Sequence, residues 1–417
     1  MSIPILRFEP VAVGCGLLLV STVVALLVLP ISLRLTLLIT LMFAHKQLER
    51  DRWALVRTHQ WRWVRHVYQC LSIYHFAWRL DSATDRLPVP KDAMKLYPSG
   101  SHILTEILQT GPQTFQSKPT NRAQIESLME CVCSLVPGIV HQSGGAMPLV
   151  LDVGAGKALF TRAVYEALDR KVATVALDSR RQRDQDQFYD PPPMATISAD
   201  DADAADDNNA TDDDAPYTRI VADVRTLSSN KNSLLLTLHD SKGGGVLSVT
   251  KHLCGGATDE SLMAMCAPPL DEFVGACCLA PCCHQKIRRR DQYCNMPYLE
   301  SVGFCQTHIG LRGGVQDPDL KTFGKLICMS RVEELKSFEY RKSKLLQLLG
   351  FRRASALGRK ARRLLEEGRI RYLQDYGFED AHLVRYCDES ITGDNYAIIG
   401  TKTKKKGVTS ESCSGQE

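Results

Sequence analysis

Four short segments carry the residue types that could do chemistry. Residues 151–158 read Leu-Asp-Val-Gly-Ala-Gly-Lys-Ala, with an acid, Asp152, two residues before Gly154-Ala155-Gly156. Glycines let a chain turn sharply between strand and helix and let a ligand come close to backbone amides at a helix start. Asp178 follows about 20 residues later and Asp223 later still, each closing a short apolar run. An acid at the end of a strand can hold ribose hydroxyls or an amino group. The third segment, Lys251-His252-Leu253-Cys254-Gly255-Gly256-Ala257-Thr258-Asp259, places an amine, an imidazole, a thiol and a carboxylate close together. Such groups can take a proton from a weak hydroxyl nucleophile or stabilise it as it ionises. The fourth is Pro281-Cys282-Cys283-His284, followed by Arg288-Arg289-Arg290.

The glycine turn admits three readings. A phosphate-binding GxxxxGK loop needs a glycine where Leu151 stands and Ser or Thr where Ala158 stands. A dinucleotide GxGxxG loop needs glycine where Leu159 stands. The D-x-G-x-G pattern of S-adenosylmethionine-dependent methyltransferases fits, with Asp152, Gly154, Gly156, Asp178 and Asp223 as expected cofactor contacts. A turn that serves only packing is the plain alternative.

These segments sit in an alternating pattern. The apolar runs 148–153, 172–177, 219–224, 245–250 and 273–279 read as buried strands, and 158–168 between the first two reads as a helix. Such alternation implies a doubly wound, mostly parallel sheet covered on both faces. At this length two or three domains are expected. Residues 1–45 form an apolar segment. Its stretch 11–44 is long enough for a membrane-spanning helix, and the arginines after it would keep the bulk of the chain cytosolic. A non-native chain start is the other reading. Residues 46–90 form a basic, aromatic linker with all four tryptophans. Residues 91–400 hold the catalytic-looking pattern and 401–417 a disordered tail.

Charge divides the same way. The chain has 51 Lys and Arg against 47 Asp and Glu, net +4. Eleven aspartates and no basic residue lie in 184–214, so the remainder carries 51 against 36, or +15. The stretch 184–216 reads as a disordered insertion, and 331–371, with 13 basic and 5 acidic residues, as a basic helical stretch. A basic excess suits a polyanionic partner. The odd total of 15 cysteines, some adjacent, does not suit a secreted disulfide framework, so a reducing compartment and no disulfide-linked partner are expected.

The run K-H-L-C-G-x-A-T-D at Lys251–Asp259, the C-C-H at Cys282–His284 and the segment Glu367-Gly368-Arg369-Ile370-Arg371-Tyr372-Leu373-Gln374 resemble the tRNA:m(4)X modification enzymes. The resemblance covers roughly residues 91–400. It implies a class I methyltransferase fold, S-adenosylmethionine as cofactor, tRNA as partner and 2′-O-ribose methylation at position 4 of the acceptor stem, in the cytoplasm or nucleus. For catalysis Lys251 and His252 are the candidates to meet the hydroxyl, with Asp259 orienting it, the alternative for His252 and Asp259 being a structural hydrogen bond that shapes the turn; Cys282, Cys283, His284, Arg288, Arg289 and Arg369 would meet the substrate. Two features depart from that family. Gln285 and Ile287 stand where a second His and a last Cys usually follow. Residues 1–130 hold only Cys15 and Cys70, too few for the family's N-terminal zinc fingers. A zinc set of Cys278, Cys283, His284 and Cys294 is conceivable, but a strand-end turn with reduced thiols is the expectation, with no metal. The alternatives are a related methyltransferase acting on another RNA or on protein, and a membrane-tethered, non-catalytic RNA-binding homologue.

Overall fold

The computed structural model describes residues 62–92, 119–179, 194–198, 217–226, 244–287, 293–305, 318–330 and 344–402. The candidate membrane segment 11–44 and residues 403–417 of the tail lie outside them; Thr401, the first residue read as tail, ends the last strand of the sheet. The chain divides at Ile73/Tyr74 into two units. Of the first, only residues 62–73 are described. They form the start of helix α1 (Arg62–Thr84), within the stretch read as a linker.

The second unit is built on one sheet. Its strands are β1 (Lys91–Asp92), β2 (Leu149–Val153), β3 (Ala173–Asp178), β4 (Met194–Ser198), β5 (Thr218–Val221), β6 (Val246–Cys254), β7 (Val274–Cys282), β8 (His382–Arg385) and β9 (Tyr396–Thr401). They lie in the order β1-β8-β9-β7-β6-β2-β3-β5-β4. Only β9 runs against its neighbours. Setting the two outermost strands aside, the inner seven read third, second, first, fourth, fifth, seventh, sixth in chain order. The order reverses between β2 and β6, which places a ligand crevice at their carboxyl ends. This is the doubly wound class I arrangement expected above.

Continuous apolar strands are what a sheet covered on both faces requires. Along β2, Leu149, Leu151 and Val153 join one core, with Leu262 and Met265 of helix α4 (Ala257–Met265) and Ile370 and Leu373 of the long helix α8 (Phe351–Asp375). Val150 between them joins the opposite core, with Ile125, Leu128 and Ile139 of α2 (Pro119–Gln142) and Phe160 and Val164 of α3 (Leu159–Ala167). Among the described residues, Asn121–Gln142 is the one stretch long and apolar enough to cross a membrane, and it packs on this sheet.

One expectation about the acidic stretch needs correction. Met194–Ser198 lies inside the supposed disordered insertion, yet it extends the sheet as an edge strand parallel to β5. Thr196 and Ile197 are β-branched and favour extended backbone, and this short segment is free of the flanking aspartates. Residues 200–214 lie outside the described residues.

Helix α5 (Met296–Ser301) and helix α7 (Lys344–Leu349) are short; α6 (Pro318–Ser330) lies along α8. The second half of α1 brings Phe76 against Phe304 and Phe323, with ring centroids 5.4 and 5.3 Å away. Where α6 and α8 cross, Gly358 lies against the backbone carbonyl of Leu326, with Ser330 beside it. A methyl group there would force the helices apart. Gly358→Ala should therefore cost about 1–3 kcal/mol, as overpacked sites do, read as a lower denaturation midpoint at an unchanged slope.

Candidate active site

The glycine turn leaves β2 at the point where the strand order reverses. Gly154 and Gly156 both take positive φ, 73° and 53°. The amides of Gly154 and Ala155 are bound by the carbonyl of Leu177, at 2.8 and 3.0 Å, so the turn is tied to the end of β3. Asp178 ends that strand, and its Oδ2 accepts from the Gly156 amide at 2.9 Å. A Cβ placed on Gly156 would meet nothing within 4 Å, so this face of the turn is open to a ligand. Asp223 follows β5, half-buried, and receives the guanidinium of Arg225. Gly154, Gly156, Asp178 and Asp223 thus share the carboxyl edge at the switch point. The open glycine face and the strand-end acids suit a nucleoside cofactor such as S-adenosylmethionine.

Asp152 is placed differently from expectation. It is 1% exposed and accepts from the hydroxyl of Thr161 at 2.7 Å. Burial pushes its carboxyl up to about 7, against the Thr161 hydrogen bonds. It ties β2 to α3 and is shielded from any ligand in the crevice. A residue not foreseen from sequence, Arg219 on β5, lies buried beneath the turn and donates to the carbonyl of Gly156 at 3.0 Å. Its position inside an apolar run was the only signal available.

Lys251 lies within the carboxyl end of β6, next to β2. It is 8% exposed, and its Nζ donates to Oδ1 of Asn121 near the start of α2. Burial lowers its ammonium to about 8, although Cys282 and Asp152 lie near enough to favour the charged form. A lysine in that range can hold or release a proton near neutrality. No sequence pattern singled out Asn121. The side chain of His252 lies outside the described residues, as do Arg288 and Arg289.

Asp259, Arg369 and His284 require correction, because all three are buried in one polar network. Asp259 and Arg369 are both fully buried and pair at 2.7 Å. Arg369 also donates to the Gly255 carbonyl at 3.0 Å and to Glu366 at 3.2 Å. Glu366, unforeseen although it stands three residues from Arg369 on one helix face, accepts from Nε2 of His284. Burial lowers the His284 pKa and so favours the neutral imidazole, whose Nε2–H then donates a hydrogen bond to the Glu366 carboxylate. Burial alone would raise Glu366, but Arg369 and its other partners outweigh it and hold the acid down to about 2. Arg362 completes the group by binding Asp394 and the carbonyl of Gly393. Asp259 therefore cannot orient a substrate hydroxyl, and Arg369 and His284 cannot reach RNA. Their polar groups are consumed in joining α4, the turn after β7 and α8 beneath the crevice.

Cys282 is buried at the end of β7 and Cys283 is half-buried just after it. The conceivable zinc set does not assemble. Cys294 donates to buried Asp259, and Cys278 sits in the core facing α2.

The family model described as Methyltransferase TRM13 matches residues 142–401, from the end of α2 to the end of β9. The chain belongs to that family. The TRM13 match covers every motif discussed above. Among curated relatives, the tRNA:m(4)X modification enzyme TRM13 of Vanderwaltozyma polyspora is 27% identical over 186 residues, 44% of this chain and 41% of that one. The enzyme of the same name from Eremothecium gossypii is 28% identical over 174 residues, 37% and 33% of the two chains. The matched region spans about two fifths or less of these relatives' length. Among solved structures, the plantazolicin methyltransferase BpumL with a triazolic desmethylPZN analog and SAH aligns at 10% identity and a TM-score of 0.27. That alignment covers 80% of this chain and 99% of that one. The fold assignment rests on strand order and the TRM13 match rather than on that likeness.

Proposed function

We propose that the chain transfers a methyl group from S-adenosylmethionine to a ribose 2′-hydroxyl of tRNA, at position 4 of the acceptor stem. One observation supports this most: a buried lysine, Lys251, its Nζ held by Asn121, lies at the carboxyl end of β6, the strand beside the open glycine turn. The sulfonium cofactor, when bound, supplies an activated methyl group and a good leaving group. Gly154 and Gly156 would let it approach the backbone, and Asp178 and Asp223 are the acids that would hold its polar groups. Lys251, held by Asn121, would as the free amine take the proton of a 2′-hydroxyl aligned with the bound methyl donor. Most of the remaining help is alignment, since holding two reactants in line can lower a barrier by several kcal/mol.

The RNA side is electrostatic. Arg352, Arg353 and Arg359 of α8 and Lys321 and Lys325 of α6 are exposed on the paired helices. Duplex RNA is recognised mostly by shape, phosphates and 2′-hydroxyls, and phosphate contacts make binding fall steeply with salt. We place the catalytic unit on the cytosolic or nuclear side, whether or not residues 11–44 anchor it.

The direct test supplies purified full chain with labelled S-adenosylmethionine and bulk tRNA, then digests the product to nucleosides. A 2′-O-methyl nucleoside from position 4, with tRNA binding that weakens by about 10³-fold or more between low and moderate salt, is the expected result. Label on a base or on protein would favour a different acceptor, and absence of cofactor binding would favour the non-catalytic homologue.

A further inference from the structure

The ends of β6 and β7 carry three thiols that neither the core nor the methyl-transfer reading uses. Cys254 is the last residue of β6 and Cys282 the last of β7, and they are direct partners across the parallel ladder. Their sulfurs lie 3.4 Å apart. Along an extended strand Cys283 would point to the opposite face from Cys282. Instead Cys283 takes left-handed backbone, φ 51° and ψ 38°, a conformation unfavourable for a non-glycine residue. That turn brings its sulfur round to the other two, and all three lie within 4.8 Å of one another.

This arrangement has the dimensions of one face of a tetrahedron. With zinc–sulfur bonds of about 2.3 Å, thiolates in a tetrahedral site stand about 3.8 Å apart. The supports of the three thiols are firm. The Gly255 amide binds the Cys282 carbonyl at 3.0 Å, and the Lys286 amide binds the Cys283 carbonyl at 2.8 Å. The two turns pack so closely that a Cβ on Gly255 would stand 3.1 Å from the Lys286 backbone. Access is present as well, since Cys254 is exposed, Cys283 half-buried and Cys282 buried. Among the described residues no fourth Cys, His, Asp or Glu joins the group. Three protein ligands and one position left for water or another oxygen or nitrogen donor is the pattern of an open site.

We infer that Cys254, Cys282 and Cys283 together bind one thiophilic divalent cation, zinc by chemistry, at the carboxyl ends of β6 and β7. Binding forms three metal–sulfur bonds and releases the three thiol protons to solvent. It pins the two strand ends together three residues beyond Lys251. The inference is independent of the methyl acceptor, because it rests on the sulfurs alone.

The test is metal analysis of the purified full chain, followed by titration of metal-stripped chain with Co²⁺. Zinc should be present at about one per chain, and Co²⁺ should give a thiolate charge-transfer band with tetrahedral ligand-field absorption. Cys254→Ser, Cys282→Ser and Cys283→Ser should each weaken Co²⁺ binding by roughly a hundredfold, while Cys133→Ser, on α2, leaves it unchanged. Should a serine variant fail to fold, the intensity of the wild-type charge-transfer band, which counts thiolates, decides. A metal-free wild-type chain without that band would overturn the site, as would a band that survives all three substitutions. A Cys254–Cys282 disulfide in chain that takes up no metal would make the pair a redox couple instead.

Discussion

Lys251→Met should reduce methyl transfer by about 10²–10⁴-fold, the usual contribution of a positioned proton acceptor. The loss should fall on kcat, with S-adenosylmethionine binding unchanged, because the glycine turn and Asp178 are on other strands. The wild-type rate should rise with pH and level off above about 8, where burial has placed the lysine. Below that value the ammonium is charged and has no lone pair to receive the hydroxyl proton. Lys251→Arg should not restore the rate, since a guanidinium stays protonated at any working pH. Asn121→Ala removes the acceptor that fixes the amine, and should lower kcat less than loss of the lysine itself. A flat pH profile, or a Lys251→Met chain that retains most of its rate, would remove Lys251 from the reaction.

Arg369→Met should cost about 3–5 kcal/mol of stability, because it leaves two buried carboxylates without their cation. Asp259 and Glu366 are both closed to water, so neither can recover by hydration. Denaturant unfolding of the variant should show the loss, and the salt dependence of tRNA binding by the chain that remains folded should match wild type. A residue that held phosphate would instead show little change in stability and a shallower salt slope. The same network sets an acid limit. Glu366 is held at about 2 in the folded chain against 4.5 ordinarily. Its contribution is therefore complete above about pH 4.5 and is lost as pH falls toward 2. Glu366→Gln should flatten stability across that acid window.

Five of the nine strands, β2, β3, β5, β6 and β7, were legible because each lies in a short, mostly apolar run, and a sheet covered on both faces asks for little more; β1, β4, β8 and β9 were not legible in this way. The glycine turn with Asp178 and Asp223 was legible for a related reason. Strand ends in a parallel sheet share one edge, so acids at those ends meet whatever their separation along the chain. The charged members of the motifs were not legible. Asp259 and Arg369 are 110 positions apart. Nothing in their types tells a solvated arginine from one buried against two acids. Reading Arg369 as an RNA contact assumed that a basic helix shows its charges to solvent, whereas α8 turns one side of a basic stretch inward. Cys254 was passed over for the opposite reason: its partner thiols lie on the next strand, and only the ladder register shows them meeting. His252 and Arg288–Arg290 fall on side chains or residues outside those described.

The small edge strand β4 has a consequence for anyone who would edit the acidic stretch. It runs parallel to β5, with Met194 beside Thr218 and Ser198 beside Val221. The chain leaving Ser198 must therefore travel back past the whole strand before it can enter β5. Nineteen residues separate Ser198 from Thr218 in the sequence. Parallel neighbours need a crossover of at least about 10–12 residues. The connection thus has a minimum length, and joining Ser198 directly to Thr218 would tear β4 from the sheet.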